Sequence, residues 1–165
     1  FNSGRLNTPE VVAFWVTRQL KTLAAKGQPI VFSGSPRTIF EAKELIPLLE
    51  ELYGKEQIIA ITIAIPPQES LYRNANRRVC ERCRTPVPFF EETRTLTTCP
   101  QCGGMLIRRG SLDTPEVISI RLREYEERTR PIIAYLHERG IPLREIDGTG
   151  SIDDVADRIL STLHL

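Results

Sequence analysis

Ile58-Ile59-Ala60-Ile61-Thr62-Ile63-Ala64-Ile65, followed at once by Pro66-Pro67, is the stretch on which the fold turns. It is β-branched and nearly all apolar, with no polar alternation. Such a run predicts a strand buried on both faces, as in a parallel sheet covered by helices. Proline donates no backbone hydrogen bond, so the pair ends the strand. Upstream, Ile30 to Phe32 predicts a short strand that stops at Ser33-Gly34-Ser35-Pro36 and turns Arg37 outward. Downstream, Leu143 to Ile146 predicts another, followed by the turn Asp147-Gly148-Thr149-Gly150.

Helical periodicity fills the intervals. Thr8-Pro9-Glu10 supplies a cap, a proline at the first helical position and an acid in the first turn. Val12, Val16, Leu20 and Leu23 then recur on one face, and Gly27 ends the helix. Thr38 to Tyr53 predicts a second helix, with Ala42, Leu45, Leu49 and Leu52 on one face and Gly54 as its stop. Gln68 to Arg78 predicts a polar helix bearing arginines. Thr114-Pro115-Glu116 opens a long helix to about His137, which Pro131 must kink or divide. Ser151 caps a last helix. Alternating strands and helices give an α/β class with a parallel sheet and flanking helices.

Residues 79–113 break this alternation with all four cysteines, three prolines and few aliphatics, as an inserted small module does. Cys80-x-x-Cys83 and Cys99-x-x-Cys102 are separated by 15 residues. Two such knuckles aim four thiolates at one ion, the tetrahedral shell of a structural zinc site. Pro100 and Gly103-Gly104 suit the second knuckle. Two disulfides are the first alternative, disfavoured because nothing suggests secretion; a redox pair is the second, and it does not need two matched motifs. Four protein ligands leave no open position for catalysis, and metal binding would supply folding energy to so small a module. Neither His137 nor His164 has ligand spacing.

Composition bounds the rest. The chain has 165 residues and a net charge of +1, too balanced for a dedicated nucleic-acid binder. No apolar run approaches the roughly 18 residues of a membrane span, and no signal-peptide pattern opens the chain. It begins on Phe1, as a processed chain or a fragment would. Of its 22 basic residues 18 are arginine, the planar fork suited to phosphate oxygens. Arg73 and Arg77 share a helix face before the cysteine module, Arg108 and Arg109 close it, Arg121 lies on the helix leaving it, and Arg37 stands at a strand's carboxyl end. Ligands bind at that end in open α/β sheets, so the set predicts a phosphate site. Arg123, Arg128 and Arg130 lie among Glu124, Glu126 and Glu127 and read as solvated or ion-paired. No Ser/His/Asp triad or acid–base carboxylate pair stands out, and phosphoryl transfer needs neither.

With these residues in place, nearly the whole chain resembles adenylate kinase in the long form that carries a zinc-bearing lid. Ser3-Gly4-Arg5-Leu6 resembles the segment contacting the monophosphate base, which implies contacts from Gly4 and Leu6. Ser33-Gly34-Ser35-Pro36-Arg37 resembles the family's Asp-Gly-Phe-Pro-Arg, whose arginine holds the monophosphate. Arg73 and Arg77 resemble the pair entering the lid, Arg109 and Arg121 the pair leaving it toward the transferring phosphates, and Cys80, Cys83, Cys99 and Cys102 the zinc ligands. Asp147-Gly148-Thr149 resembles the turn near the ATP adenine, with Arg73 and Gly150 at the ATP site. Glu41 falls where the family's glutamine reads adenine, and Ser33 where it has an aspartate that helps organise Mg²⁺. Between Arg109 and Arg121 lies one residue more than the family has, which lets Arg108 share the role.

The resemblance implies a P-loop-kinase-like parallel sheet with flanking helices and an inserted Cys₄ zinc lid. It divides the chain into 1–28, the remainder of a monophosphate-binding region; 29–78 and 114–165, the α/β core; and 79–113, the lid. It implies a cytoplasmic nucleoside monophosphate kinase, monomeric when complete, that uses ATP, Mg²⁺ and AMP or a related monophosphate, with no nucleic-acid or membrane partner. No G-x-x-x-x-G-K-S/T occurs in the chain. That loop and the central strand before it are therefore expected upstream of Phe1, and these 165 residues alone are expected to be inactive. The alternatives are a catalytically inactive zinc-ribbon binding or scaffold protein derived from such a kinase and, more weakly, a nucleic-acid-binding zinc ribbon.

Overall fold

The computed structural model describes residues 7–108, 110 and 113–163. They separate into two compact units, 7–61 with 121–144 and 62–120 with 145–163.

The first unit is built on helices. Helix α1 (Pro9–Ala24) starts at Thr8 with Pro9 in its first turn. Helix α2 (Ile39–Tyr53) starts at Thr38, whose hydroxyl accepts the Glu41 N–H, and stops at Gly54. Helix α5 (Pro131–Glu138) starts at the proline expected to divide the long helix. Before it the chain runs through α4 (Pro115–Glu124) and a π-helical turn, Tyr125–Thr129. Leu20 of α1, Ala42, Leu45, Ile46 and Leu49 of α2, Ile132 and Leu136 of α5, and Ile141 bury one another. Arg139 and Glu50 pair at the edge of this core, and Arg128–Glu124 and Arg130–Glu126 form the expected pairs one helical turn apart.

Ile30 to Phe32 was expected as a strand and is not one. Its side chains alternate as in a strand, with Ile30 and Phe32 packed on the core and Val31 94% exposed. Among the described residues no neighbouring strand pairs with it, so no ladder forms. Strand β1 (Ala60–Ala64) corrects a second expectation. It pairs in a two-stranded sheet with β5 (Leu143–Asp147). Bonds from Ala60 N–H to Pro142 O and from Gly148 N–H to Ala64 O mark a parallel ladder. Yet β1 is not buried on both faces: Ile63 is 55% exposed, and among the described residues the sheet has two strands.

The second unit holds the cysteine module. After α3 (Pro67–Asn76), strands β2 (Arg78–Cys80), β3 (Pro86–Val87) and β4 (Leu106–Arg108) form an antiparallel sheet in the order β3-β2-β4. Val79 stands opposite Pro86 on one side and Ile107 on the other. Helix α6 (Ile152–Leu163) closes the chain, with Ser151 and Asp154 exchanging hydrogen bonds at its start. No helix among the described residues is long and apolar enough to cross a membrane.

Candidate functional site

Two knuckles of the same design carry the thiols. In the first, Cys80 N–H donates to Thr85 O and Arg84 N–H to Cys80 O; in the second, Cys99 N–H donates to Gly104 O and Gly103 N–H to Cys99 O. The fifth residue of each takes positive φ, +61° at Arg84 and +71° at Gly103. The four Sγ atoms lie within 4.8 Å of one another, with Cys80–Cys102 at 3.5 Å and Cys83–Cys99 at 3.7 Å. Ligands about 2.3 Å from a tetrahedral ion stand about 3.8 Å apart, so the set fits one ion, and all four cysteines are free. A Cβ at Gly104 would come within 2.9 Å of Cys80 Sγ, so the cradle needs glycine there.

The electrostatics point the same way. Hydrogen bonds to the Thr85 side chain and backbone hold the Cys83 thiol down to about 6. At Cys102 the Gly104 N–H pulls downward, but the thiols of Cys83 and Cys80 outweigh it and push the group up to about 11. Four thiolates cannot ionise together so close without a cation among them.

The second cluster is organised by Arg73 on α3. Its Nε donates to Glu69 Oε1 at 2.5 Å, Nη1 to Gly148 O at 3.0 Å and Nη2 to Gly150 O at 3.4 Å. Its guanidinium lies 4.5 Å from the centre of the Phe90 ring. The Asp147 turn is locked as well, since Asp147 accepts the Thr149 N–H and hydroxyl while Arg158 donates to Asp147 O and Thr149 O. Those bonds from Thr149, with Arg158 and Arg73 nearby, hold the Asp147 carboxyl below the ordinary aspartate range. Gly148 is required: a Cβ there would meet Ile63 at 2.6 Å and Ile65 at 2.8 Å. Between this turn and the aromatic pair Tyr72–Phe89 opens a cavity of about 340 Å³, lined also by Arg73, Phe90, Gly150 and Asp154. An aromatic wall, an arginine and backbone carbonyls suit a flat heteroaromatic ring.

The structure thus brings Arg73 and Gly150 together. Arg77 is paired instead with Asp113, Nη2 to Oδ1 at 2.8 Å, and the Asp113 side chain is only 4% exposed. Arg121 lies on α4 in the first unit. Gly4, Leu6 and Arg109 lie outside the described residues. In the first unit Arg37 is exposed and its guanidinium folds over Gly34, where a Cβ would stand 2.6 Å from Nη2. Among the described residues the Arg37 side chain has no hydrogen-bonding or ionic partner. Glu41 is 2% exposed, at the first turn of α2. Sequence reasoning missed Glu69, Phe90, Asp113 and Asp154. Glu69 carried a signal in its spacing one helical turn from Arg73, and Asp154 in its place three residues after the cap Ser151; Phe90 and Asp113 meet Arg73 and Arg77 across 17 and 36 residues of chain.

No family model matches the chain. It is similar to adenylate kinase of Lachnospira eligens, 36% identical over 163 residues, 98% of this chain and 75% of that protein. It is also similar to adenylate kinase of Staphylococcus epidermidis, 33% identical over 164 residues, 98% of this chain and 74% of that protein. Adenylate kinase of Syntrophobacter fumaroxidans is 36% identical over 135 residues, which are 81% of this chain and 62% of that protein.

Proposed function

The chain belongs to the adenylate kinase family, and from that premise we propose that it serves reversible phosphoryl transfer from ATP to a nucleoside monophosphate. The relatives' name points to AMP as the acceptor. An acceptor phosphate oxygen attacks the terminal phosphorus of ATP in line while the bond to the ADP oxygen breaks, so no protein nucleophile is required. Arg37, exposed at its turn, holds the acceptor phosphate, with Gly34 beneath it; Gly4 and Leu6 contact the acceptor base. Arg73 and Gly150 form the wall of the donor-base cavity. Arg77, Arg109 and Arg121 spread the charge of the transferring group. Mg²⁺ arriving with ATP supplies further neutralisation.

The arrangement around Arg73 carries the proposal. One side chain there joins an aromatic ring, two backbone carbonyls and a cavity of a size that admits a nucleobase. The four thiols would hold zinc as a structural ion, since they leave no coordination position open to substrate. Residues 79–113 then act as a lid that keeps water from the transferring phosphoryl group. The protein would work as a cytoplasmic monomer without nucleic-acid or membrane partners.

Arg37→Ala in the complete natural protein tests the site. Steady-state kinetics should show kcat/KM for the monophosphate falling about 10²–10³-fold; unchanged turnover with unchanged monophosphate KM would refute the assignment. One observation favours a second reading, a non-catalytic nucleotide-binding protein that keeps the metal module. Ser33, exposed at the turn, cannot supply the carboxylate that the family places there. Nucleotide binding without any ADP formation would decide for it.

A further inference from the structure

Glu41 is buried at 2% exposure, and both its carboxylate oxygens are occupied by the turn that carries Arg37. Oε2 accepts the Arg37 N–H at 2.9 Å and the Ser35 hydroxyl at 3.3 Å. Oε1 accepts the Thr38 hydroxyl at 3.1 Å, and the Glu41 N–H donates back to that hydroxyl oxygen at 3.2 Å. From another element, Thr129 Oγ1 donates to Arg37 O at 2.7 Å. Both backbone polar groups of Arg37 are therefore held, while its guanidinium remains exposed.

A buried carboxylate bound by several donors is strongly oriented, and its partners lose their acceptor if it goes. It also has little left to offer a ligand: a carboxylate has no donor, and these oxygens face inward onto their own chain.

We propose that Glu41 is a positioning residue that fixes the Ser35–Thr38 turn so that Arg37 meets the acceptor phosphate, and that it does not select the base. The proposal rests on the assignment of Arg37 to the acceptor phosphate. It replaces the expectation that Glu41 reads the base as the family's glutamine does. A phosphate is common to every nucleoside monophosphate, so a defect in presenting Arg37 must be the same for all of them. Ser35 belongs to the same device, because its hydroxyl donates where the family's phenylalanine could not.

The experiment compares wild type, Glu41→Ala, Glu41→Gln and Ser35→Ala in the complete natural protein, with AMP, GMP, CMP and UMP as acceptors. A small displacement of a binding group costs up to about 10²-fold, so Glu41→Ala should raise KM about tenfold or more for each accepted monophosphate, and by more than kcat falls. Glu41→Gln keeps an acceptor for the Arg37 N–H and gains a donor for Thr38 Oγ1, so it should recover to within about threefold. Ser35→Ala should fall between them. A shift in the ratio of kcat/KM between bases above about fivefold in Glu41→Gln would overturn the proposal, as would an unchanged monophosphate KM in Glu41→Ala. If Glu41→Ala does not fold, Ser35→Ala and Glu41→Gln decide on the same criteria. Hydrogen exchange at the Arg37 amide tests the clamp independently of catalysis: slow in wild type, about tenfold faster without the carboxylate, and equal in both if the clamp is wrong. If wild type forms no ADP with any monophosphate, the kinase assignment fails, while the exchange result still separates a real clamp from none.

Discussion

Arg84 holds a backbone conformation that its side chain disfavours. At φ +61° it occupies in the first knuckle the place that Gly103 occupies in the second. A left-handed conformation costs an L-residue roughly 1–2 kcal/mol, part of which glycine gives back through its freer unfolded chain. Arg84→Gly should therefore stabilise the module by about 0.5–1 kcal/mol. Arg84→Val should destabilise it, and the melting temperatures of the metal-loaded proteins check both signs. Two aspartates give a pH test. The carboxyls of Asp147 and Asp154 lie below the ordinary range, held there first by the Thr149 and Ser151 N–H groups and then by the same residues' hydroxyls. A lowered folded value means that their stabilisation is full above the unfolded value of about 3.9 and is lost as pH falls through the lowered one. The Thr149 and Ser151 amide resonances should titrate below that value; midpoints at or above it would contradict these bonds. At this scale cap and knuckle residues were legible, because each acts within about five positions of itself. Asp113 was not, since its partner Arg77 lies 36 residues away and no local pattern joins them.

Helix α2 shows what local grammar fixes. Thr38, Glu41 and Gly54 bound it, and its apolar face became the face buried against α1 and α5, with Ile46 in place of the expected Leu52 among the fully buried residues. Leu45 is completely buried in that cluster. Leu45→Ala should cost about 2–5 kcal/mol, read as a shift in denaturant midpoint at constant slope. A loss under about 1 kcal/mol would mean that α2 does not seal this core. The strands were less legible for a physical reason. A helix satisfies its own backbone, but a strand needs a neighbour. Apolar runs correctly placed β1, yet neither a ladder for Ile30–Phe32 nor a cover for Ile63 could be inferred from those runs alone.

For the molecule as a whole, binding of an ion by the four thiols would be linked to folding. The sheet of β2, β3 and β4 is short, and the buried side chains in and beside it are Val79 and Val87 with the thiol-bearing Cys80 and Cys99, so little apolar core would hold this segment without a bound ion. Chelation should release about one zinc per chain and raise hydrogen exchange across residues 78–108, while the helices around Leu20, Leu45 and Leu136 keep their protection. Zinc-free protein with unchanged exchange in that segment would contradict a structural metal. The cysteine spacing made this site legible in advance because two knuckles set the geometry locally. The Arg73 cavity was legible only through family resemblance, since α3, Phe90 and the Asp147 turn meet there from distant parts of the chain. The most direct test of the central claim is product formation by the complete, zinc-loaded protein given ATP, Mg²⁺ and AMP. ADP should form in dependence on AMP, with two ADP made for each AMP consumed. ATP turnover indifferent to AMP and to every other monophosphate, or no turnover at all, would contradict it.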